Sequence, residues 1–289
     1  MILILGGRGY VASAFHKYLS SVGLEHKVLS RAEVDYAKRE NLQEALRYLR
    51  PHFVINAAGY TGKPNVDATE SKKTLCVDAN LSLVCKLADI CTDMRIPMGH
   101  VSSGCIFSGS RADGSGFIEK DPPNFDFRHN NCSFYSGTKS LAEEVLNETE
   151  NVYLWRLRIP FNEIDSPRNY LTKIMNYERL LNVRNSISQL DEFARACCQC
   201  WEKRIPFGKY NVTNPGSVTT EEVVEMIVKA GFCKNRKFAY FKDEQEFLEK
   251  AAKTPRASCI MDSSKILNCG ISLTEVHESL EWCLNNWKS

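Results

Sequence analysis

Tyr135 and Lys139 stand four residues apart in Ser133-Phe134-Tyr135-Ser136-Gly137-Thr138-Lys139. On a helix that spacing puts both side chains on one face, one turn apart. An ammonium beside a phenol favours the phenolate and lowers its pKa from the ordinary value of about 10. A tyrosine so tuned can give a proton to an alkoxide forming at a carbonyl carbon. A Tyr-x-x-x-Lys pair also arises by chance, so its weight depends on what surrounds it. Ser103 ends an apolar strand upstream and is placed to hydrogen-bond a developing alkoxide. Cys105 follows two residues later, so on an extended strand its thiol points to the same side. A ketone acidifies the hydrogens on its neighbouring carbons, and a thiol of pKa about 8.5 can remove or return one. The chemistry within reach is carbonyl reduction, with proton exchange beside the carbonyl.

A hydride source is suggested at the start of the chain. Gly6-Gly7-Arg8-Gly9-Tyr10-Val11-Ala12 follows a short apolar strand and opens a helix. Gly6, Gly9 and Ala12 form a variant of the dinucleotide-binding fingerprint. Gly6 permits the tight turn, and Gly9 lets backbone approach a pyrophosphate at the helix N-terminus. The second strand ends Leu29-Ser30-Arg31 without an acidic residue to hold a ribose 2′-hydroxyl. Arg31 can pair with a 2′-phosphate and Ser30 can add a hydrogen bond, which favours NADP(H) over NAD. Arg8 competes with Arg31 for that phosphate.

These groups need a frame that brings them together. Apolar runs at residues 2–6, 27–30, 53–57, 99–106 and 152–159 read as strands. Residues 11–21, 41–50, 75–91 and 136–146 carry apolar faces at helical spacing. Strands alternating with helices predict an α/β fold with a doubly wound parallel sheet, the Rossmann arrangement. Residues 1–159 are assigned to the NADP-binding domain and 160–289 to a smaller C-terminal substrate-binding lobe, partly interleaved with it. Helices are expected there over 190–201, 221–230, 244–252 and 274–287. Ser108 to Ser133 is a long polar loop before the Tyr135 helix, and such loops are usually functional.

Composition excludes several classes. The 289 residues include 43% apolar and 25% charged, with a net charge of +2, which points to neither a nucleic-acid nor a membrane surface. The apolar opening Met1 to Leu5 is too short for a signal or a span, so a soluble, cytoplasmic protein is expected. Of the twelve cysteines, Cys197, Cys198 and Cys200 fall in a helical run and are read as core. None of the six histidines has metal-ligand spacing, and no metal is expected.

These residues carry a family resemblance. Gly6-x-x-Gly9-x-x-Ala12, Asn56-Ala57-Ala58-Gly59, Ser103 and Tyr135-x-x-x-Lys139 resemble the extended short-chain dehydrogenase/reductases. Asn56 to Asp67, Ser103 to Phe107, Gly114 to Phe125, Ser133 to Ser136 and Ser166 to Ile174 narrow it. So do Asn214-Pro215-Gly216 and Pro255-Arg256. Together they resemble the bifunctional UDP-4-keto-6-deoxy-glucose 3,5-epimerase/4-reductases of plants and some large viruses. These are relatives of the dTDP-4-dehydrorhamnose reductases. The chain departs at Ala12, at Ser103 where the plant proteins tend to have Thr, and at the insertion-like Asp126 to Cys132.

The resemblance implies NADPH-dependent epimerisation and 4-reduction of a nucleotide 4-keto-6-deoxy-hexose to a nucleotide-L-rhamnose. Reduction of an already epimerised dTDP sugar, or a non-catalytic regulatory subunit of the same fold, are the alternatives. It implies cofactor contacts from Gly6, Arg8, Gly9, Tyr10, Val11, Ser30, Arg31, Asn56, Ala57, Ala58, Gly59, Tyr135 and Lys139. Ser103, Tyr135 and Lys139 serve reduction, with Cys105 and Lys173 as the epimerising pair. The nucleotide-sugar substrate is expected against Ser103, Cys105, Arg168, Asn169, Lys173 and Arg256, the arginines facing the diphosphate. A homodimer through the 75–91 and 136–148 helices is also implied.

Overall fold

A computed structural model describes residues 1–288 of the chain. Six strands form one parallel sheet: β1 (Ile2–Leu5), β2 (His26–Leu29), β3 (Phe53–Asn56), β4 (Met98–Ser103), β5 (Val152–Leu157) and β6 (Gly208–Asn211). Their spatial order is β6-β5-β4-β3-β1-β2. Every residue of β1, β3, β4 and β5 is buried, as expected of central strands covered on both faces. The α/β, doubly wound reading of the sequence holds.

The pleat of β1 divides two cores. Ile2 and Ile4 face Phe15 and Leu19 of helix α1 (Tyr10–Ser21), and this cluster also holds Phe53 and Trp155. Leu3 and Leu5 belong to the opposite cluster. There they join Leu42 and Leu46 of α2 (Arg39–Leu49), Leu87 and Ile90 of α3 (Leu83–Asp93), and Leu146 of α4 (Phe134–Leu146).

Three helices after residue 160 enclose a third core: α5 (Tyr170–Asn176), α7 (Thr220–Lys229) and α8 (Val276–Asn285). Between the first two of these the chain returns to the main sheet. Helix α6 (Leu190–Glu202) puts Phe193 and Cys197 into the first core, and β6 then pairs with the outer edge of β5. Cys197, Cys198 and Cys200 are buried there and pack as small hydrophobes.

Two elements differ from the sequence expectation in ways that bear on chemistry. The helix expected over 75–91 is interrupted: Lys73–Val77 is followed by a π-turn at Asp78–Ser82 before α3 begins. Apolar spacing does not register a single widened turn. The strand expected to reach Ile106 stops at Ser103, where Ser103 Oγ accepts the Cys105 N–H at 3.1 Å and starts a 3₁₀ turn, Gly104–Ile106. Cys105 therefore stands on a turn, not on an extended strand.

The first part of the 108–133 loop is fixed by the 258–262 segment. Gly109 exchanges backbone hydrogen bonds with Ser258 and Ile260, and Phe117 with Ile260 and Asp262. The insertion-like segment rests on α4. An ideal Cβ on Gly137 would lie 2.2 Å from the Phe127 ring, so only glycine admits that contact. No helix among the described residues is long and apolar enough to cross a membrane.

Candidate active site

The sheet reverses its order at β1, between β2 and β3, and the loops leaving the carboxyl ends of β1, β3 and β4 gather there. In open α/β sheets this is where ligands bind. Gly6 has a φ of +99°, and a Cβ there would lie 2.8 Å from Ala58 N and 2.9 Å from the Ala57 carbonyl carbon. The turn after β1 thus packs directly on the Asn56–Gly59 loop. Gly9 precedes α1 with no side-chain cap, which leaves the helix-start amides directed at the groove. Backbone approach, open amides and a helix start fit a dinucleotide pyrophosphate.

The expected cofactor contacts fall into two groups. Gly6, Gly9, Ala57, Ala58, Gly59, Arg8, Tyr10 and Val11 line or flank this turn, and Arg8 and Arg31 are exposed. The side chains of Ser30 and Asn56 are committed within the protein. Ser30 Oγ donates to Glu33 Oε2 at 2.6 Å. Asn56 is fully buried, with its oxygen on the Ala58 N–H and its amide on His100 Nδ1 at 3.1 Å. Asn56 thus shapes the loop from behind. Glu33, three residues past Ser30, is an acidic group that inspection of the strand end alone does not register.

Tyr135, Lys139, Ser103 and Cys105 converge at the carboxyl end of β4. Ser133 Oγ accepts the Ser136 N–H and starts α4, which sets Tyr135 and Lys139 one turn apart. Lys139 is buried and its Nζ donates to the Val101 carbonyl at 2.9 Å. A Cβ on Gly59 would lie 4.0 Å from that Nζ. Burial lowers the Lys139 pKa to about 8, against the opposing pull of Glu143. The expected lowering at Tyr135 is not observed. Its pKa is raised, mainly by burial and further by Cys105, with the Ser103 hydroxyl opposing. The ammonium is turned to the Val101 carbonyl, and desolvation of the phenolate dominates.

Residues of the second lobe take more varied places. Lys173 is half-buried on α5, and its pKa is lowered by burial and by Arg168. Arg168 Nη1 donates to Thr61 Oγ1 and the Gly62 carbonyl, both at 3.1 Å. Arg256 makes a two-pronged ion pair with Asp67 at 2.8 and 2.7 Å. Both arginines therefore reach across the groove to the loop after β3. Asn169 is buried, caps α5 through the Leu171 N–H, and donates to the Asn162 and Ile164 carbonyls. Its carboxamide serves the frame of the lobe.

Four further residues shape the site. Asn80, on the π-turn, holds the Tyr60 backbone through its N–H at 2.8 Å and its carbonyl at 2.9 Å. Glu143, one turn beyond Lys139, pairs with fully buried Arg156 at 2.8–3.1 Å and accepts from Ser102 at 2.6 Å. Arg158 donates to Cys105 Sγ at 2.8 Å. Arg156 and Arg158 were visible as two charges in an otherwise apolar strand, and Glu143 continues the spacing of Tyr135 and Lys139. Nothing in the sequence marks Asn80.

Comparison with known proteins gives the chain a family. The family model described as "RmlD substrate binding domain" matches residues 1–289. A trifunctional UDP-glucose 4,6-dehydratase/UDP-4-keto-6-deoxy-D-glucose 3,5-epimerase/UDP-4-keto-L-rhamnose-reductase of Arabidopsis thaliana is 34% identical over 286 residues. The match takes in 96% of this chain but 40% of the plant protein. A bifunctional dTDP-4-dehydrorhamnose 3,5-epimerase/dTDP-4-dehydrorhamnose reductase of the same plant is 33% identical, over 96% of this chain and 90% of its own length. The crystal structure of a UDP-rhamnose synthase from Acanthamoeba polyphaga mimivirus superposes with a TM-score of 0.90 at 24% identity, covering 99% of this chain and 98% of that one. A dTDP-4-dehydrorhamnose reductase from Bacillus anthracis in complex with NADP gives 0.80 at 18%, covering 99% and 97%. Matched from its first residue to its last, and sharing a third of its residues with a protein of nearly the same extent, the chain belongs to the RmlD substrate binding domain family.

Proposed function

We propose that this protein reduces the C4 carbonyl of a nucleotide 4-keto-6-deoxy-hexose with NADPH, after inverting C3 and C5, to give a nucleotide-L-rhamnose. The observation that carries the reading is the convergence of Ser103, Cys105 and Tyr135 over a lysine already fixed by the Val101 carbonyl. The nicotinamide supplies the hydride when bound. Tyr135 donates the proton to the C4 oxygen, and Ser103 stabilises charge on that oxygen. Burial keeps the Tyr135 phenol protonated, as a proton donor must be. Lys139 holds the cofactor ribose beside Gly59. Cys105 exchanges the protons on the carbons flanking the ketone, with Lys173 acting from the other face. The substrate lobe is drawn from the chain after residue 160 apart from 190–211, which return to the main sheet, with Arg168 and Arg256 at the diphosphate. An intact Ser103, Tyr135 and Lys139 disfavour a regulatory subunit.

The deciding experiment is deuterium wash-in at C3 and C5 in D₂O without NADPH, using UDP-4-keto-6-deoxy-glucose. Wild-type protein is expected to incorporate deuterium at both carbons, and Cys105→Ser to lose about 10²–10⁴-fold in that rate. The serine variant should still reduce a pre-epimerised 4-keto sugar. No wash-in by the wild type leaves the reductase-only reading in place. Undiminished wash-in by the serine variant removes Cys105 from the mechanism.

NADPH preference is supported by Arg31 and Arg8, both exposed beside the cofactor turn. Ser30 adds no free hydroxyl, because Glu33 already holds it. Arg31→Ala should therefore lower kcat/KM for NADPH more than for NADH. An unchanged ratio would move the phosphate contact to Arg8.

A homodimer through the 75–91 and 136–148 segments is supported by Leu75 on the helical turn Lys73–Val77 and by Leu141 and Val145 on α4, which are 37%, 38% and 42% exposed. Light scattering is expected to give twice the 32.8 kDa chain mass, and a particle of single-chain mass would remove the dimer.

A further inference from the structure

Two arginines, Arg156 and Arg158, are buried two residues apart, at 0% and 2% exposure. They are treated differently. Arg156 is neutralised by Glu143. Arg158 has no carboxylate within ion-pair distance among the described residues. Its Nη1 donates to Cys105 Sγ at 2.8 Å, and its Nη2 to Asn185 Oδ1 at 2.6 Å and the Ala257 carbonyl at 2.5 Å. Its Nε is buried with no partner. A guanidinium does not discharge itself, and a buried cation without a counter-charge is strongly unfavourable.

Three neighbouring groups are able to become anionic: Cys105, Cys259 and Tyr135. The Cys259 thiol donates to the Gly104 carbonyl, and burial pushes its pKa up. Burial does the same to the Tyr135 phenol, which reduction needs protonated. Cys105 is the remaining one, and it is in direct contact; the Lys139 ammonium and the Tyr135 phenol also face it.

We propose that Arg158 holds Cys105 as a thiolate, so that Cys105 is the base of the proton exchange and not its acid. The use of that thiolate rests on the epimerase reading above; the ion pair itself does not. In the exchange, the thiolate sulfur takes the proton from the carbon beside the ketone, forming S–H. The C–H electron pair moves into the enolate, whose oxygen lies at Ser103 and Tyr135. A proton delivered to the opposite face from an ammonium, the part given to Lys173, completes the inversion. Cys105 then returns its proton to solvent and the amine regains one. A permanent cation suits this cycle because it never competes for the proton in transit. Arg158 touches the thiol and not the reacting carbons, so it is a positioning residue.

The test is alkylation of the folded, full-length protein with iodoacetamide from pH 6 to 8, with Cys105 resolved from the other cysteines by peptide mass spectrometry. In the wild type, Cys105 should react at pH 6 about tenfold or more faster than in Arg158→Met, with Arg158→Lys recovering part of the rate. The wild-type rate should change little across the range. Equal rates at pH 6 in wild type and a folded Arg158→Met protein would overturn the proposal. So would a wild-type rate that climbs about tenfold per pH unit, as a neutral thiol does. That second criterion holds even if the methionine variant fails to fold. Fast alkylation without deuterium wash-in would leave the ion pair standing and end the epimerase reading. Wash-in with slow, pH-dependent alkylation would do the reverse.

Discussion

Tyr135→Phe is expected to lower the rate of C4 reduction by about 10²–10⁴-fold while leaving deuterium wash-in at C3 and C5 within a few-fold of wild type. The substitution removes one oxygen and keeps the ring beside Ser103 and Cys105. The lost group is the proton donor of the reductive step, and Ser103 alone can stabilise the oxygen but holds no acid of suitable strength. Exchange needs a base on the carbon and only charge stabilisation at the oxygen, so it should survive. Steady-state reduction of a 4-keto sugar and NMR-detected exchange, run on one preparation, separate the steps. Loss of both would mean that Tyr135 also serves enolate formation. Retention of reduction would remove it as the donor.

The second large effect is expected behind the site. Glu143→Ala leaves Arg156 as a buried cation without its ion-pair partner, with the Asn211 oxygen and the Phe107 face as remaining contacts and Glu119 farther off. Breaking a buried pair from one side costs about 3–5 kcal/mol. Glu143→Gln keeps the shape and part of the hydrogen bonding, so it should cost less and stay folded. The glutamine variant carries an electrostatic signature as well. Glu143 raises the Lys139 pKa against the lowering by burial. Without that charge the lysine discharges at lower pH, and the basic limb of the reduction profile should move towards acid. Thermal melts and a pH–rate profile check the two halves. An unmoved limb in a folded Glu143→Gln protein would confine Glu143 to a structural role.

Lys139 makes stability itself pH-dependent. Its folded pKa of about 8 lies below its ordinary 10.5, so between those values the unfolded chain binds more protons. This group therefore adds stability as pH rises through that window, and its full penalty is present below it.

Much of this was legible in the sequence, and the reasons are local. The strand, turn and helix of residues 2–21 carry their own signals in short order: apolar run, glycines, then helical spacing. Tyr135 and Lys139 are one turn apart and need no distant information. What could not be read are pairings across the fold. Arg158 meets Cys105, Asn185 and Ala257, which lie 53, 27 and 99 residues away. Residue type suggests a phosphate for Arg256 but gives no sign of its ion pair with Asp67, 189 residues away. The Tyr135 titration was misjudged because spacing along a helix gives proximity to Lys139 and says nothing about desolvation. Cys105 was placed beside Ser103 and Tyr135 by the wrong geometry, since a serine-capped turn replaced the strand.

The return of residues 190–211 to the main sheet bears on how such proteins can be recombined. A chain cut at residue 159 loses β6 from the open edge of β5 and loses α6 from the first core. The Tyr153 hydroxyl would also be stranded, because its acceptors are the carbonyls of Cys200 and Ile205. Grafting a relative's C-terminal region onto this scaffold as one contiguous block therefore splits a sheet rather than a linker. A chimera that respects the architecture needs junctions on both sides of 190–211 and keeps Ile266 and Ile271, which also pack in the first core, so that the C-terminal lobe is exchanged as inserts around retained structural segments.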